Sequence, residues 1–266
     1  MTLAIIIPSC GHFDYVRRAV QSAIVNTRTG DGRRPLALLV DDASPELATS
    51  SALRLLMPDC RRLGERIVVH RFAENGGLLR SLNKGLELAR RFGAKYTCCA
   101  NSDLIFTPGW NLPLERALDT GYSLVGPITN TPGTEVSQCV TKWWPDYALS
   151  DDATELAQLA EGLRAQYGER VETATVNGFC LFAKTETWWR HAYDRDALQV
   201  FCPRNDYNSR GQPNPTPFMT LGEYELQRRW HAAGLKTGFC PASFVFHYRS
   251  VSRGDRHKKG LWLRRR

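Results

Sequence analysis

Tyr96-Thr97-Cys98-Cys99-Ala100-Asn101-Ser102-Asp103-Leu104-Ile105-Phe106-Thr107-Pro108-Gly109-Trp110 is the stretch that decides the fold. Its first five residues carry no charge and stop at three polar side chains, Asn101, Ser102 and Asp103. A short uncharged run closed by polar punctuation predicts a buried strand. The carboxyl end of such a strand is where open α/β sheets bind their ligands. Asp103 at that end is a hard oxygen donor, suited to Mg or Mn, which are held by one or two carboxylates plus substrate phosphates. Asn, Ser and Asp are equally good turn formers, so these three residues alone leave a cation site and a plain turn both open.

The flanking segments repeat the pattern. Leu3 to Pro8 predicts a buried first strand, followed by the turn Ser9-Cys10-Gly11-His12. Val16, Ala19, Val20, Ala23 and Ile24 recur at helical spacing between Asp14 and Asn26. Leu36 to Val40 predicts a second strand ending in Asp41-Asp42-Ala43-Ser44, with Pro45 opening a helix behind a Ser44 cap. Ile67 to Phe72 is a third strand, leading through Glu74-Asn75-Gly76-Gly77 into a helix from Leu78 to Arg91. A helix after Pro108 and a short strand from Ser123 to Gly126 follow. Strand alternating with helix predicts a parallel α/β sheet covered on both faces. It gathers Ser9, Asp42, Asn75 and Asp103 on the carboxyl edge of that sheet.

Beyond Gly126 the periodicity weakens. Pro127 to Pro145 is irregular and ends in Trp143-Trp144. A helix is expected from Asp151 to Tyr167, a strand from Thr175 to Ala183 with Asn177-Gly178 inside it, and a helix opened by Trp188-Trp189. Phe201 to Phe218 reads as a long loop. Thr220 to Leu226 lead a helix through Arg229 and Ala233, and two final strands, Thr237–Phe239 and Phe244–Phe246, complete the chain before His247.

The 266 residues fit one large domain or two small ones. No apolar run is long enough for a bilayer, and Met1-Thr2-Leu3-Ala4-Ile5 lacks the basic start of a signal peptide, so a cytoplasmic protein is expected. The eight cysteines have no metal-ligand spacing and read as reduced, mostly buried thiols. The net charge of +8 is uneven, with eight Lys or Arg and one Asp between Arg249 and Arg266. That tail, with Leu261 and Trp262, reads either as a peripheral contact for an anionic membrane or as a solvated extension. No helix-turn-helix or zinc-finger pattern points to nucleic acid.

In this order, the motifs resemble the family-2 glycosyltransferases with the GT-A fold. Ile5-Ile6-Ile7-Pro8-Ser9 is similar to that family's opening strand and turn, and Val40-Asp41-Asp42-Ala43-Ser44 to its Val-Asp-Asp-Gly-Ser stretch. Asn75-Gly76-Gly77 resembles its Asn-x-Gly helix start, and Asn101-Ser102-Asp103 stands at its metal-binding Asp-x-Asp. Val176-Asn177-Gly178-Phe179 resembles its acceptor-side strand, and Glu223-Tyr224-Glu225-Leu226 its base-bearing helix. The resemblance implies a Rossmann-like, mixed but mostly parallel sheet flanked by helices, in a single domain over residues 1–250. Residues 1–126 would be the nucleotide-sugar half, 127–250 the acceptor half, and 251–266 a basic C-terminal extension.

It also implies a metal-dependent, inverting transfer from a nucleoside-diphosphate sugar to a hydroxyl of a glycan or lipid-linked acceptor. Pro8, Ser9, Cys10, Asn75, Gly76, Asn101 and Ser102 would line the donor, Asp42 would meet the nucleobase or Asp41 the ribose, and Arg80 would face the diphosphate. Asp103 and His247 would hold Mn or Mg. Glu223 would be the general base, with Glu225 as its rival. Asn177 and Gly178 would face the acceptor, and Trp143 and Trp144 would serve as sugar platforms or as packing anchors. Asn101 replaces the family's first Asp, Cys10-Gly11 its Tyr-Asn, and Glu223 its usual Asp. The alternatives are a sugar- or nucleotide-binding module with a decayed site and, less consistent with Ser9-Cys10-Gly11-His12, a sugar nucleotidyltransferase.

Overall fold

The computed structural model describes residues 3–44, 67–133, 135–204 and 222–248. The expected helix from Pro45, most of the loop to Phe218 and the basic tail lie outside them.

Strands β1 (Leu3–Ser9), β2 (Leu36–Asp41), β3 (Ile67–Arg71) and β4 (Tyr96–Ala100) run parallel in the spatial order β3-β2-β1-β4. Both faces of β1 are covered, which is why its sequence is an unbroken apolar run. Its odd residues Leu3, Ile5 and Ile7 pack under helix α1 (Phe13–Asn26), on Val16, Ala19, Val20 and Ala23. Its even residues Ala4 and Ile6 pack under α2 (Leu78–Arg91), on Leu79, Leu82 and Leu86. Burial contributes ~1.5–3 kcal/mol for each such leucine. Gly85 sits where α2 crosses β1; a Cβ there would lie 2.2 Å from Ile6 Cγ2.

The order reverses at β1, since β2 and β3 lie on one side of it and β4 on the other. This is the switch point at which open α/β sheets form a crevice. Pairing between β1 and β4 stops at Ile6 and Cys99. Pro8, which has no N–H to extend the ladder, lies beyond that pair, and the two strand ends part.

After β4 the sheet is mixed rather than parallel. β5 (Leu104–Phe106), which the sequence pattern did not separate from its neighbours, pairs antiparallel with β9. Helix α3 (Asn111–Asp119) leads to β6 (Leu124–Ile128). Helix α4 (Ala153–Tyr167) is capped by Asp152, which accepts from the N–H groups of Thr154 and Glu155 at 2.8 and 3.0 Å. It is followed by β7 (Glu172–Thr173), and then by β8 (Cys180–Lys184), which inserts antiparallel between β4 and β6.

The strand expected from Thr175 therefore starts five residues late. Val176 and Asn177 give their backbone groups to buried glutamine side chains instead of a ladder. Trp188 and Trp189 lie inside α5 (Thr185–Arg190), both buried, and α6 runs from Gly222 to Ala232. The two expected final strands are one, β9 (Thr237–His247), parallel to β6. A bulge takes up the interruption at Pro241: the register jumps from Pro127–Cys240 to Ile128–Phe244. The Thr107 hydroxyl donates to the Phe244 carbonyl at 2.6 Å beside it. The seven cysteines among the described residues are free thiols. No helix among the described residues is long and apolar enough to cross a membrane.

Candidate active site

Three hydrogen-bond networks stand on the carboxyl edge of the sheet. The first closes the ends of β1, β2 and β3 around Asp41, whose side chain is wholly buried. Arg71 Nη1 lies 2.5 Å from its Oδ2, and Arg71 Nη2 donates to the Ser44 carbonyl at 3.2 Å. The Ser9 and Ser44 hydroxyls donate to Asp41 Oδ1, and Ser44 Oγ accepts from Gly11 N at 2.7 Å. Asp41 is thus the tie between three strand ends.

Asp42 faces the other way. Its two oxygens accept from the N–H groups of Gly76 (2.9 Å) and Gly77 (2.7 Å), so the carboxylate sits on the positive end of α2. Gly77 adopts φ 87, a left-handed conformation that glycine takes at little cost. The Asn75 amide donates to the Asp42 carbonyl at 3.1 Å and lies 3.4 Å from the sulfur of Cys10, which is exposed at the mouth. Arg80 folds back over this turn. Its guanidinium lies 3.7 Å above the Phe72 ring and donates to the Glu74 carbonyl at 3.1 Å. A Cβ at Gly76 would strike it.

The second network brings Asn101, Asp103 and His247 together. His247 Nε2 lies 3.2 Å from Asp103 Oδ1 and 3.3 Å from the Asn101 amide, and both Asp103 and His247 are buried. β5 causes this meeting: it pairs Leu104 with His247, and the Asp103 carbonyl accepts from Tyr248 N at 3.0 Å. Asn130, which no sequence pattern singles out, grips the backbone of His247. Its Oδ1 accepts from His247 N at 2.7 Å and its Nδ2 donates to His247 O at 3.1 Å. Phe179 stacks on the imidazole at 5.5 Å, while His247 Nδ1 is buried without a hydrogen-bond partner. Ser102 completes the turn between Asn101 and Asp103 and is partly exposed.

This donor set fits a hard divalent cation. It offers a carboxylate, an imidazole nitrogen and an amide, which presents oxygen when turned over. No group of three or more His, Cys, Asp or Glu side chains converges among the described residues. Phosphate oxygens and water would therefore fill the rest of a coordination shell.

The third network carries Glu223, in the first turn of α6. Its carboxylate lies against Gly178, where a Cβ would come within 2.7 Å of Cδ and 2.9 Å of Oε1. Four residues on, buried Gln227 accepts from Val176 N at 2.7 Å and donates to Val176 O at 2.8 Å. Buried Gln138 accepts from Asn177 N at 2.8 Å and from its side-chain amide at 2.9 Å. Neither glutamine stands out in the sequence, where each is one more polar residue among polar neighbours. Glu225 is bound to Arg229 at 3.1 Å and points away.

Trp143 and Trp144 stand apart from these networks, on α4. Trp143 donates to the Ser137 carbonyl at 2.8 Å and packs on Tyr167 and Phe239, and the ring of Trp144 packs on Gly162.

The second and third networks share the dipeptide Gly178-Phe179: Glu223 rests on the first residue and the His247 ring on the second. The profile described as Glycosyl transferase family 2 matches residues 4–181. The chain belongs to that family. Solved structures agree on the fold. TarS residues 1–349 of S. aureus superposes with a TM-score of 0.55 at 11% identity, over 93% of this chain and 60% of that one. GalNAc-T7, crystallised with UDP, GalNAc and Mn2+, superposes with a TM-score of 0.59 at 13% identity, over 93% of this chain and 44% of that one. The TarS fragment has also been crystallised with UDP, with a TM-score of 0.54 at 11% identity, covering 92% of this chain and 60% of that one. The family-2 chain therefore has the GT-A fold of these glycosyltransferases and spans about half the length of these neighbours. No curated protein sequence matches it.

Proposed function

We propose that this family-2 chain transfers a sugar, with inversion, from a nucleoside-diphosphate sugar to a hydroxyl of a glycan, a lipid-linked glycan or a surface polysaccharide. The observation that carries this reading is the shared dipeptide: the Glu223 carboxylate rests on Gly178, and the ring of His247, paired with Asp103, rests on Phe179. The acceptor O–H would lose its proton to Glu223 as the oxygen bonds to the anomeric carbon. The bond from that carbon to the donor phosphate breaks, and the diphosphate leaves with the electron pair. Asp103, His247 and Asn101 would hold Mn or Mg, which supplies Lewis-acid neutralisation of the departing charge. Glu225 is engaged with Arg229, and the proposal gives the role of base to Glu223 alone.

Asp41, Asp42, Ser9 and the Asn75–Gly76 turn would shape the nucleotide side. Asp42 would act through the turn it holds, since both its oxygens already accept backbone N–H groups. Arg80 would swing from Phe72 to meet the diphosphate. The neighbours crystallised with UDP make a uridine nucleotide the first donor to test. A contact between the basic tail, residues 251–266, and an anionic membrane is part of the same proposal. The decayed-module alternative draws on Asn101, which replaces an acid and adds no charge.

Calorimetric titration with UDP tests the reading. Binding is expected to be strengthened by Mn in the parent, and in Asp103→Ala to be weak and no stronger with Mn than without it. Equal UDP binding by both, with and without Mn, would overturn the cation assignment.

A further inference from the structure

A cleft of about 270 Å3 lies outside the three networks, between the segment after Trp143 and the first turns of α4. Trp144 and Tyr147 form one wall, and Asp146, Glu155 and Gln158 contribute polar groups. Both aromatic rings are half-buried and held in place. The Trp144 ring is so close to α4 that a Cβ at Gly162 would lie 2.7 Å from it, and the Tyr147 ring is 6.0 Å from that of Phe244. Asp146, Glu155 and Gln158 are exposed. Fixed aromatic faces beside carboxylates and an amide suit a sugar: rings cover its apolar C–H face, and the polar groups meet its hydroxyls.

Charge narrows the ligand. The wall is acidic in a chain of net charge +8, so it repels phosphates, uronic acids and anionic lipid. The volume is just below the ~300–1,000 Å3 of sites that enclose a whole drug-sized ligand, which suits one part of a longer molecule. One lining residue of the cleft, Tyr147, packs on the strand that carries His247. Phe244, under Tyr147, lies three residues before it on β9. Tyr248, directly after it, donates to Asp151 at 2.7 Å beside the cleft.

We propose that this cleft is a subsite for an uncharged, hydroxyl-rich saccharide, holding a unit of the acceptor glycan away from the sugar that reacts. The proposal deepens the transferase reading and rests on it for the role of the bound glycan.

The test is titration of the full chain, without donor, against neutral hexose and N-acetylhexosamine oligosaccharides and against a uronic acid oligomer of equal length. At least one neutral oligomer is expected to bind and the uronate to fail. Tyr147→Ala, and separately the exposed pair Asp146→Ala with Gln158→Ala, should weaken that binding about fivefold or more, with Mn-dependent UDP binding unchanged. Circular dichroism on each variant verifies that it is folded, and the surface pair keeps the test open if Tyr147→Ala is not. No neutral binder, binding indifferent to the variants, or equal binding of the uronate would overturn the subsite. Absence of UDP binding by the parent would instead overturn the transferase reading and leave the saccharide result standing.

Discussion

The two halves of the molecule are held together differently. Before residue 126, parallel strands and crossover helices bury one another, and each functional polar group sits at the end of an apolar strand. After it, the site-bearing segment Val176–Gly178 belongs to no ladder, and side chains distant in sequence supply its hydrogen bonds. Both halves bury apolar cores, the second around β6, β9 and α4, but only in the second do side-chain hydrogen bonds replace a ladder along the segment that bears the site. Area tolerates approximate sequences, because burial is non-directional; a buried amide that loses its partner is left with the full cost of desolvation.

This contrast can be broken at several points. The largest effect is expected from Glu223→Gln, which keeps the shape of the side chain and removes the proposed base: kcat should fall by ~10²–10⁴-fold with Mn-dependent UDP binding intact. Turnover at the parent rate would show that the second half does not supply the base. Next comes Leu86→Ala on the buried face of α2, where the first half should lose ~2–5 kcal/mol in urea unfolding. The folded fraction should keep its kcat.

Gln227→Met should cost less stability, ~1–3 kcal/mol for the abandoned Val176 backbone groups, yet lower kcat because Gly178 no longer fixes Glu223. If its kcat loss merely tracks its stability loss, the two halves are not distinct. The smallest effect concerns two histidines, one in each half. Burial is the largest cause of the depressed pKa of both His70 on β3 and His191 after α5, with positive neighbours adding to it. The unfolded chain then takes up protons first as pH falls below the ordinary histidine value of ~6.5. Stability is therefore full above that value and declines as pH drops toward the folded pKa. His70→Gln combined with His191→Gln should flatten that slope between pH 7 and 5 in thermal melts.

Much of the first half was legible because its signals are local. The run Leu3 to Pro8, the helical spacing of Leu79, Leu82 and Leu86, and the polar stop at Asn101 each lie within one element. Beyond Gly126 the expected strand at Thr175 began only at Cys180, and the two expected last strands proved to be one bulged strand. Gln138, Gln227 and Asn130 went unremarked, since nothing in sequence distinguishes a buried latch from a solvated amide.

The sequence by itself determined an alternating α/β chain, the apolar run that makes β1 central, and the polar residues at the strand ends. It also carried the motif order of the family. Only the tertiary structure decided that Asp41 and Asp42 bind different partners, that β8 runs antiparallel into the sheet, and that His247 meets Asp103 across β5. The physical reason is range: periodicity and turn chemistry act over a few residues, whereas the hydrogen bonds that place Asp103, His247 and Glu223 close over loops of tens to more than a hundred residues.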